Sequence, residues 1–543
     1  MLAVTPSCRD GGGDSDEGGS SDGAADDAGS DEGDDGEPNA CEPTPGRVGL
    51  QRLTAAEYNR TVAHLFDDDS APADVFPADS ATDGFNNNAA SLTISPQLAA
   101  LLLDASESVA ATAMANQSNA IIQCDASEDD CAADTLRDLA TRVYRRPPSP
   151  TELADLTALV DVALAEGDTF PQAIEFALAG MLMAPQFLYR GVPAPGSAPL
   201  AASEIAVLDD YALASRLSYF LWGSTPDAAL LEAAAQGALS DTEGLREAFD
   251  RMLADNKADA LYDGFAMQWL QLGRLAVSAP DPVAFPQFSE PLREQMLAET
   301  RLFFGDVMAR DASPLEFITG NQTFASAGLA EIYGESGPSG DALVPLMTDP
   351  SQRAGVLTMP AVLTMLSNPS TPNIVRRGVW LAEAIVCAAP PPPPDGVPPE
   401  PAPLEGETER ERLARHREDP DCASCHNLID PLGFTFENYD AMGQWRTEDE
   451  AGAPVDNVGE LPDGTTVDGV VGLADALAQG DDYGRCITRK LMTYSLGRTV
   501  TPDDACTVDS IASDHVDPDA AFSDLLWAVV TSDAFTTQQG DAQ

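Results

Sequence analysis

Apolar residues recur at helical intervals along most of the chain. Between positions 51 and 66, Leu53, Tyr58, Val62 and Leu65 share one face, Thr54 stands where an N-cap is needed, and Glu57 completes a capping box. The same period predicts helices over 96–114, 132–144, 150–166 and 171–183, separated by turns such as RRPPSP. Apolar-faced stretches continue at 210–223, 227–236, 241–254, 259–272, 290–309, 353–366 and 374–386. Strand signals are scarce. After Cys387 the run AAPPPPPDGVPPEPAPLEGE reads as a stiff polyproline linker and the clearest domain boundary. Beyond it, 409–417 predicts a helix, the run CASCH falls in the following turn, and VDNVGELPDGTTVDGVVG predicts a hairpin around Pro-Asp-Gly. Residues 487–496 predict a closing helix.

Composition changes this picture in three ways. A chain of 543 residues, 43% of them hydrophobic, is too long for one core and needs several. No run of about 18 consecutive apolar residues is present, so the body is expected to be soluble. Asp and Glu outnumber Lys and Arg 89 to 29, for a formal charge of −60, which argues against nucleic acid as a partner. Lysine occurs only as Lys257 and Lys490, a pattern shared by Arg-coded and salt-adapted sequences.

Part of the acidity sits in residues 9–40, where Gly, Ser and Asp dominate, and residues 1–42 read as a truncated leader with a disordered linker. The leader MLAVTPSC ends in Cys8 before a flexible tether. If the natural start lies upstream, a lipid-modified Cys8 would look like this, and it would be the body's only link to a membrane; the other reading is an incidental cysteine. Eight further cysteines remain. Leaving out the Cys422–Cys425 pair, Cys124 with Cys131 and Cys486 with Cys506 are close enough in sequence to pair, and Cys41 with Cys387 is the pair left over. Such usage favours an oxidising compartment, the periplasm or the cell surface.

The densest chemistry lies in DCASCHNLIDPLGF. In C-x-x-C-H the thiols of Cys422 and Cys425 are spaced to form thioethers to one covalent haem c, and His426 can turn its imidazole onto the iron. A bare disulfide and a zinc site completed by His416 are the competing readings. If iron is bound, its distal ligand is His416, Met442 or Met492, each of which has an ordinary packing or surface role as its alternative. Phe434, Phe436, Tyr439 and Trp445 are core aromatics that can reach a macrocycle, while Arg446 and Arg498 can pair with propionates. No Walker loop or H-E-x-x-H is present to indicate other catalysis.

RLTAAEYNRTVAHLF, RVYRRPPSPTEL with LMAPQFLYR, YALASRLSYFLWGSTPDAAL, RAGVLTMPAVLTMLSNPSTPNIVRRGVWLAEAIVCAAPPPPP, and HREDPDCASCHNLIDPLGFTFENYDAMGQWR with CITRKLMTYSLGR follow one another along the chain. Together they resemble bacterial multidomain proteins with DUF1587, DUF1595, DUF1592, DUF1588 and DUF1585 in that order. The resemblance implies boundaries at 43–118, 119–200, 201–335 and 336–388, a Pro-rich linker at 389–407, and a cytochrome-c-like domain at 408–543. It implies haem attachment at Cys422, Cys425 and His426, and favours His416 over the methionines as distal ligand. The fold class expected is mainly α: a multidomain helical array with a C-terminal cytochrome-c-like haem domain carrying a small β-hairpin insert.

The function expected is extracytoplasmic electron transfer, or the redox part of an oxidoreductase system, with a redox partner protein. The rival is a cell-surface binding or scaffold lipoprotein for a polymeric substrate such as carbohydrate, with haem structural or absent. A peroxidase-type haem enzyme is a third reading and needs an open sixth position.

Overall fold

The computed structural model describes residues 49–128, 130–192, 201, 204–391, 404, 406–449 and 452–539. The acidic leader, Cys8, Cys41 and most of the Pro-rich stretch lie outside them. The first helix, Ala55–Phe66, begins where its capping box dictates, with Thr54 and Glu57 each accepting the other's backbone N–H. Gln51 and Arg52, which the pattern includes in that helix, instead pair antiparallel with Tyr189 and Arg190. Helices Pro96–Ile121, Cys131–Val143, Pro150–Glu166 and Phe170–Met183 pack with it around Val62, Val109, Leu139, Val160 and Leu178. Pro96–Ile121 is long and apolar enough to cross a membrane by length and composition, but it packs Leu98, Leu102 and Val109 into this core.

A second core takes Phe85 and side chains from Leu208 to Phe535, on both sides of the Pro-rich stretch, including Leu381, Ile385, Leu432, Phe436, Leu473 and Leu491. Three of the stretches that feed it are less regular than their periodicity predicts. Residues 259–272 break into single turns around a π-turn at Tyr262–Ala266. There Gly264 lies so close to Tyr494 that a Cβ would sit 2.0 Å from the phenol oxygen, and the Trp269 indole donates to Ala384 O. Residues 353–366 become a 3-10 turn, Gly355–Thr358, and the short helix Pro360–Met365, because Pro360 lacks the N–H that a continuous helix needs. The Ile374–Leu381 helix passes into a π-turn at Ala382–Val386.

Four two-stranded pairs complete the described residues, and the fold is mainly helical as expected. Val458–Glu460 pairs with Thr466–Asp468 across the Pro-Asp-Gly turn. The hairpin of Gln322–Ala325 with Val344–Met347 was not signalled by alternation. Beyond Asp482–Leu496, where a closing helix was expected, the chain continues through Ala505–His515 and Phe522–Thr531.

Cys124 and Cys131 are disulfide-bonded. The expected Cys486–Cys506 and Cys41–Cys387 pairs do not form: Cys387 is bonded to Cys486. Packing of the 374–386 segment on the Asp482–Leu496 helix brings those two thiols together, which sequence proximity does not reveal. Cys506 is disulfide-bonded as well.

Beside the Gln322–Ala325 strand, Glu299 is wholly buried and accepts from Thr323 Oγ1 at 2.6 Å and Tyr333 Oη at 2.5 Å. Burial pushes its carboxyl up to about 7 against these hydrogen bonds and the nearby Arg353. The folded state therefore holds the proton more tightly than the unfolded chain. The group's stabilising contribution is complete below its ordinary value of 4.5 and is lost as pH rises through about 7. The loss is on the order of 3 kcal/mol. Glu299→Gln keeps an acceptor and cannot ionise, so thermal melts should show a flatter fall in Tm from pH 5 to 8 than wild type. Parallel Tm profiles would contradict this.

Candidate functional site

The motif sits between two helices that share a tight junction. Glu409–His416 starts with a capping box of Thr408 and Glu411, and Asp419 caps the next helix, Pro420–Phe434, with Pro420 in its first turn. CASCH therefore lies on a helix and not in the turn before it. On a helix, spacings of three and four place Cys422, Cys425 and His426 on one face.

Glycines fix where that face points. At Gly378 an added Cβ would sit 1.9 Å from Ile429 O, and at Gly433 it would sit 2.1 Å from Ile374 O. The Ile374–Leu381 and Pro420–Phe434 helices thus touch backbone to backbone. Buried Arg377 locks the far end by donating to Phe436 O, Tyr439 O and Asp440 O. Close by, the Arg410 guanidinium lies 3.8 Å over the Phe434 ring, above a small cluster of Ile374, Leu413 and Phe434.

Both thiols are half-buried and unbonded, whereas Cys124, Cys131, Cys387, Cys486 and Cys506 are oxidised. Partial burial, then the carboxylates of Asp419 and Asp421, push the Cys422 thiol up. A redox-active dithiol needs the opposite, an electropositive setting that favours thiolate.

His426 Nδ1 lies 2.8 Å from Oδ1 of Asp430, one helical turn on and wholly buried. A carboxylate only accepts, so Nδ1 carries a proton, and in the neutral imidazole Nε2 is the nitrogen with the lone pair. This is how protein imidazoles are oriented to bind metal, with the second nitrogen held by a carboxylate. Arg417 Nε stands 3.7 Å from Asp430 Oδ2.

His416, 9% exposed, packs edge-on against His426 with ring centroids 4.5 Å apart and planes at 85°. Metal–nitrogen bonds of ~2 Å from opposite sides of one metal would hold the centroids roughly 6 Å apart. The pair is therefore in contact, and shared ligation requires it to open by roughly 2 Å. Among the described residues no three His, Cys, Asp or Glu side chains converge as metal-binding groups do, so a tetrahedral set of Cys422, Cys425, His426 and His416 is not assembled.

The remaining candidates lie elsewhere. Met442 and Met492 are wholly buried in the main core with Phe436 and Tyr439. Arg446 bonds Glu437, and Arg498 makes a two-pronged pair with Asp504 at 2.7 and 2.8 Å, so both have internal partners in place of a propionate. Asp430 and Arg417 were not singled out from the sequence. The i,i+4 spacing of His426 and Asp430 in HNLID was the available signal.

Five family models match in chain order, each described as a protein of unknown function: DUF1587 over 51–115, DUF1595 over 131–191, DUF1592 over 208–334, DUF1588 over 353–449 and DUF1585 over 463–535. The DUF1588 match runs through Cys422–His426, which the resemblance above assigned to DUF1585. The glycine contacts give the reason, since the helices at 374–381 and 420–434 are one packed unit. No curated protein and no solved structure matches the chain. With these five matches in sequence, the chain belongs with the multidomain proteins built from DUF1587, DUF1595, DUF1592, DUF1588 and DUF1585 in that order.

Proposed function

We propose that this is a c-type haem protein of an oxidising compartment, acting in electron transfer or as the redox part of an oxidoreductase system with a partner protein. The observation that carries the reading is the Pro420–Phe434 helix face: two unbonded thiols three residues apart, beside an imidazole whose Nδ1 is held by Asp430. Those donors fit the group. Cys422 and Cys425 are the residues for thioether attachment, and His426 Nε2 is the proximal ligand. A one-electron iron couple is the chemistry such a group supplies when bound. The protein's own part is to fix the helix face through Gly378 and Gly433, and to hold the His426 tautomer through Asp430.

His416 would be the second residue to hold the iron in this reading, which would need its ring to open from His426. The disulfides favour a location outside the cytoplasm, and a lipid-modified Cys8 would tether the body there. The test is a spectroelectrochemical titration of protein expressed with a c-type maturation system. A reversible one-electron wave in a low-spin spectrum is expected, and a protein without a haem wave would refute the reading. His416→Ala should turn that low-spin spectrum high-spin; an unchanged spectrum would remove His416 from the iron.

A further inference from the structure

We infer that Asp430 is a positioning residue that sets the oxidation preference of the iron held by His426. The inference rests on the haem reading above and deepens it. Asp430 has no solvent exposure, and only one of its carboxylate oxygens is hydrogen-bonded, to His426 Nδ1 at 2.8 Å. The other oxygen lacks a hydrogen bond and has the Arg417 guanidinium 3.7 Å away.

A buried carboxylate with half its capacity unfilled is costly. Packing does not call for one here, because backbone contacts at Gly378 and Gly433 and the Arg377 bonds already fix the helix. What the carboxylate does provide is a negative charge aligned with the imidazole N–H. It draws that proton, gives the ring imidazolate character and raises electron density on Nε2. A more basic axial nitrogen stabilises ferric over ferrous iron and lowers the potential. Arg417 works against this by drawing the same charge from the other side. His416 also packs against His426, with the ring planes at 85°, and Cys422 and Cys425 share its helix face.

Opposed substitutions test the assignment. Wild type, Asp430→Asn and Arg417→Gln are each expressed with c-type maturation, checked for haem by pyridine haemochrome, and titrated spectroelectrochemically. Asp430→Asn should favour the reduced form at least about tenfold, a rise of about 59 mV for one electron. Arg417→Gln should shift the ratio the other way. The two shifts should be opposite in sign, a pattern that a purely structural role would not produce. Equal potentials in all three proteins with haem present would overturn the inference and leave the haem reading standing. Absence of haem from wild type would overturn both. If Asp430→Asn does not fold, the direction of the Arg417→Gln shift decides.

Discussion

Alanine at Gly378 or Gly433 should destabilise the protein by about 3 kcal/mol or more, the upper part of the range for overpacking. At both positions the obstacle is a backbone carbonyl: Ile429 O at 1.9 Å and Ile374 O at 2.1 Å from the added carbon. A flexible side chain can swing away from a methyl group, whereas here two helices must part. Their separation would also disturb Arg377, which bonds three carbonyls at the end of the Cys-bearing helix. Against a typical total stability of about 5–15 kcal/mol, that is a large fraction. Gly472 is the control, because it lies within the Gly469–Gln479 helix with nothing within 4 Å of an added Cβ. Gly472→Ala should be neutral or stabilising by up to ~1 kcal/mol. Urea unfolding of the three variants distinguishes these cases, and a Gly433→Ala midpoint equal to wild type would show that the helix contact is not as close as described.

The Cys422→Ala, Cys425→Ala double variant should fold as wild type does and carry no covalent haem. Both thiols are half-buried, and neither closes a disulfide, so their removal leaves little cavity and no lost cross-link. Haem staining after denaturing electrophoresis reads the covalent group, and urea unfolding with maturation omitted reads the fold. Each single variant should keep one thioether and shift the reduced absorption band. The contrast is Cys387→Ala, which opens a bond spanning 99 residues and should cost on the order of 4–5 kcal/mol in the chain-entropy account. Haem retained by the double variant after denaturation would refute thioether attachment.

What could be read from the sequence was mostly local. Thr54 with Glu57, Ser149 with Glu152, and Thr408 with Glu411 mark helix starts because a cap is a three-residue interaction. The Val458–Asp468 hairpin was legible for the same reason, its turn being written in Pro-Asp-Gly. The break-up of 259–272 was not, since its causes are Tyr494 and Ala384, far away in the chain. Phe522–Thr531 escaped notice as a short, strongly apolar run of ten residues. Cysteine pairing divided along the same line. Cys124 and Cys131 are joined across a short loop, whereas Cys387 reaches Cys486 only through helix packing.

At the site, the grouping of Cys422, Cys425 and His426 was legible because it is a matter of three- and four-residue spacing. His416 lies against His426 as ring packing, with centroids 4.5 Å apart. Asp430 was hidden among the chain's 89 acidic residues, and only its burial distinguishes it. Arg498 resembled a free cation in the sequence, yet Asp504 lies six residues further on and holds it.

The most direct test of the haem assignment is a pyridine haemochrome spectrum, with intact mass, of the protein expressed alongside a c-type maturation system. A thioether-type band and one added haem mass are expected, both lost in the Cys422→Ala, Cys425→Ala variant. An unmodified mass with no haemochrome band would contradict it.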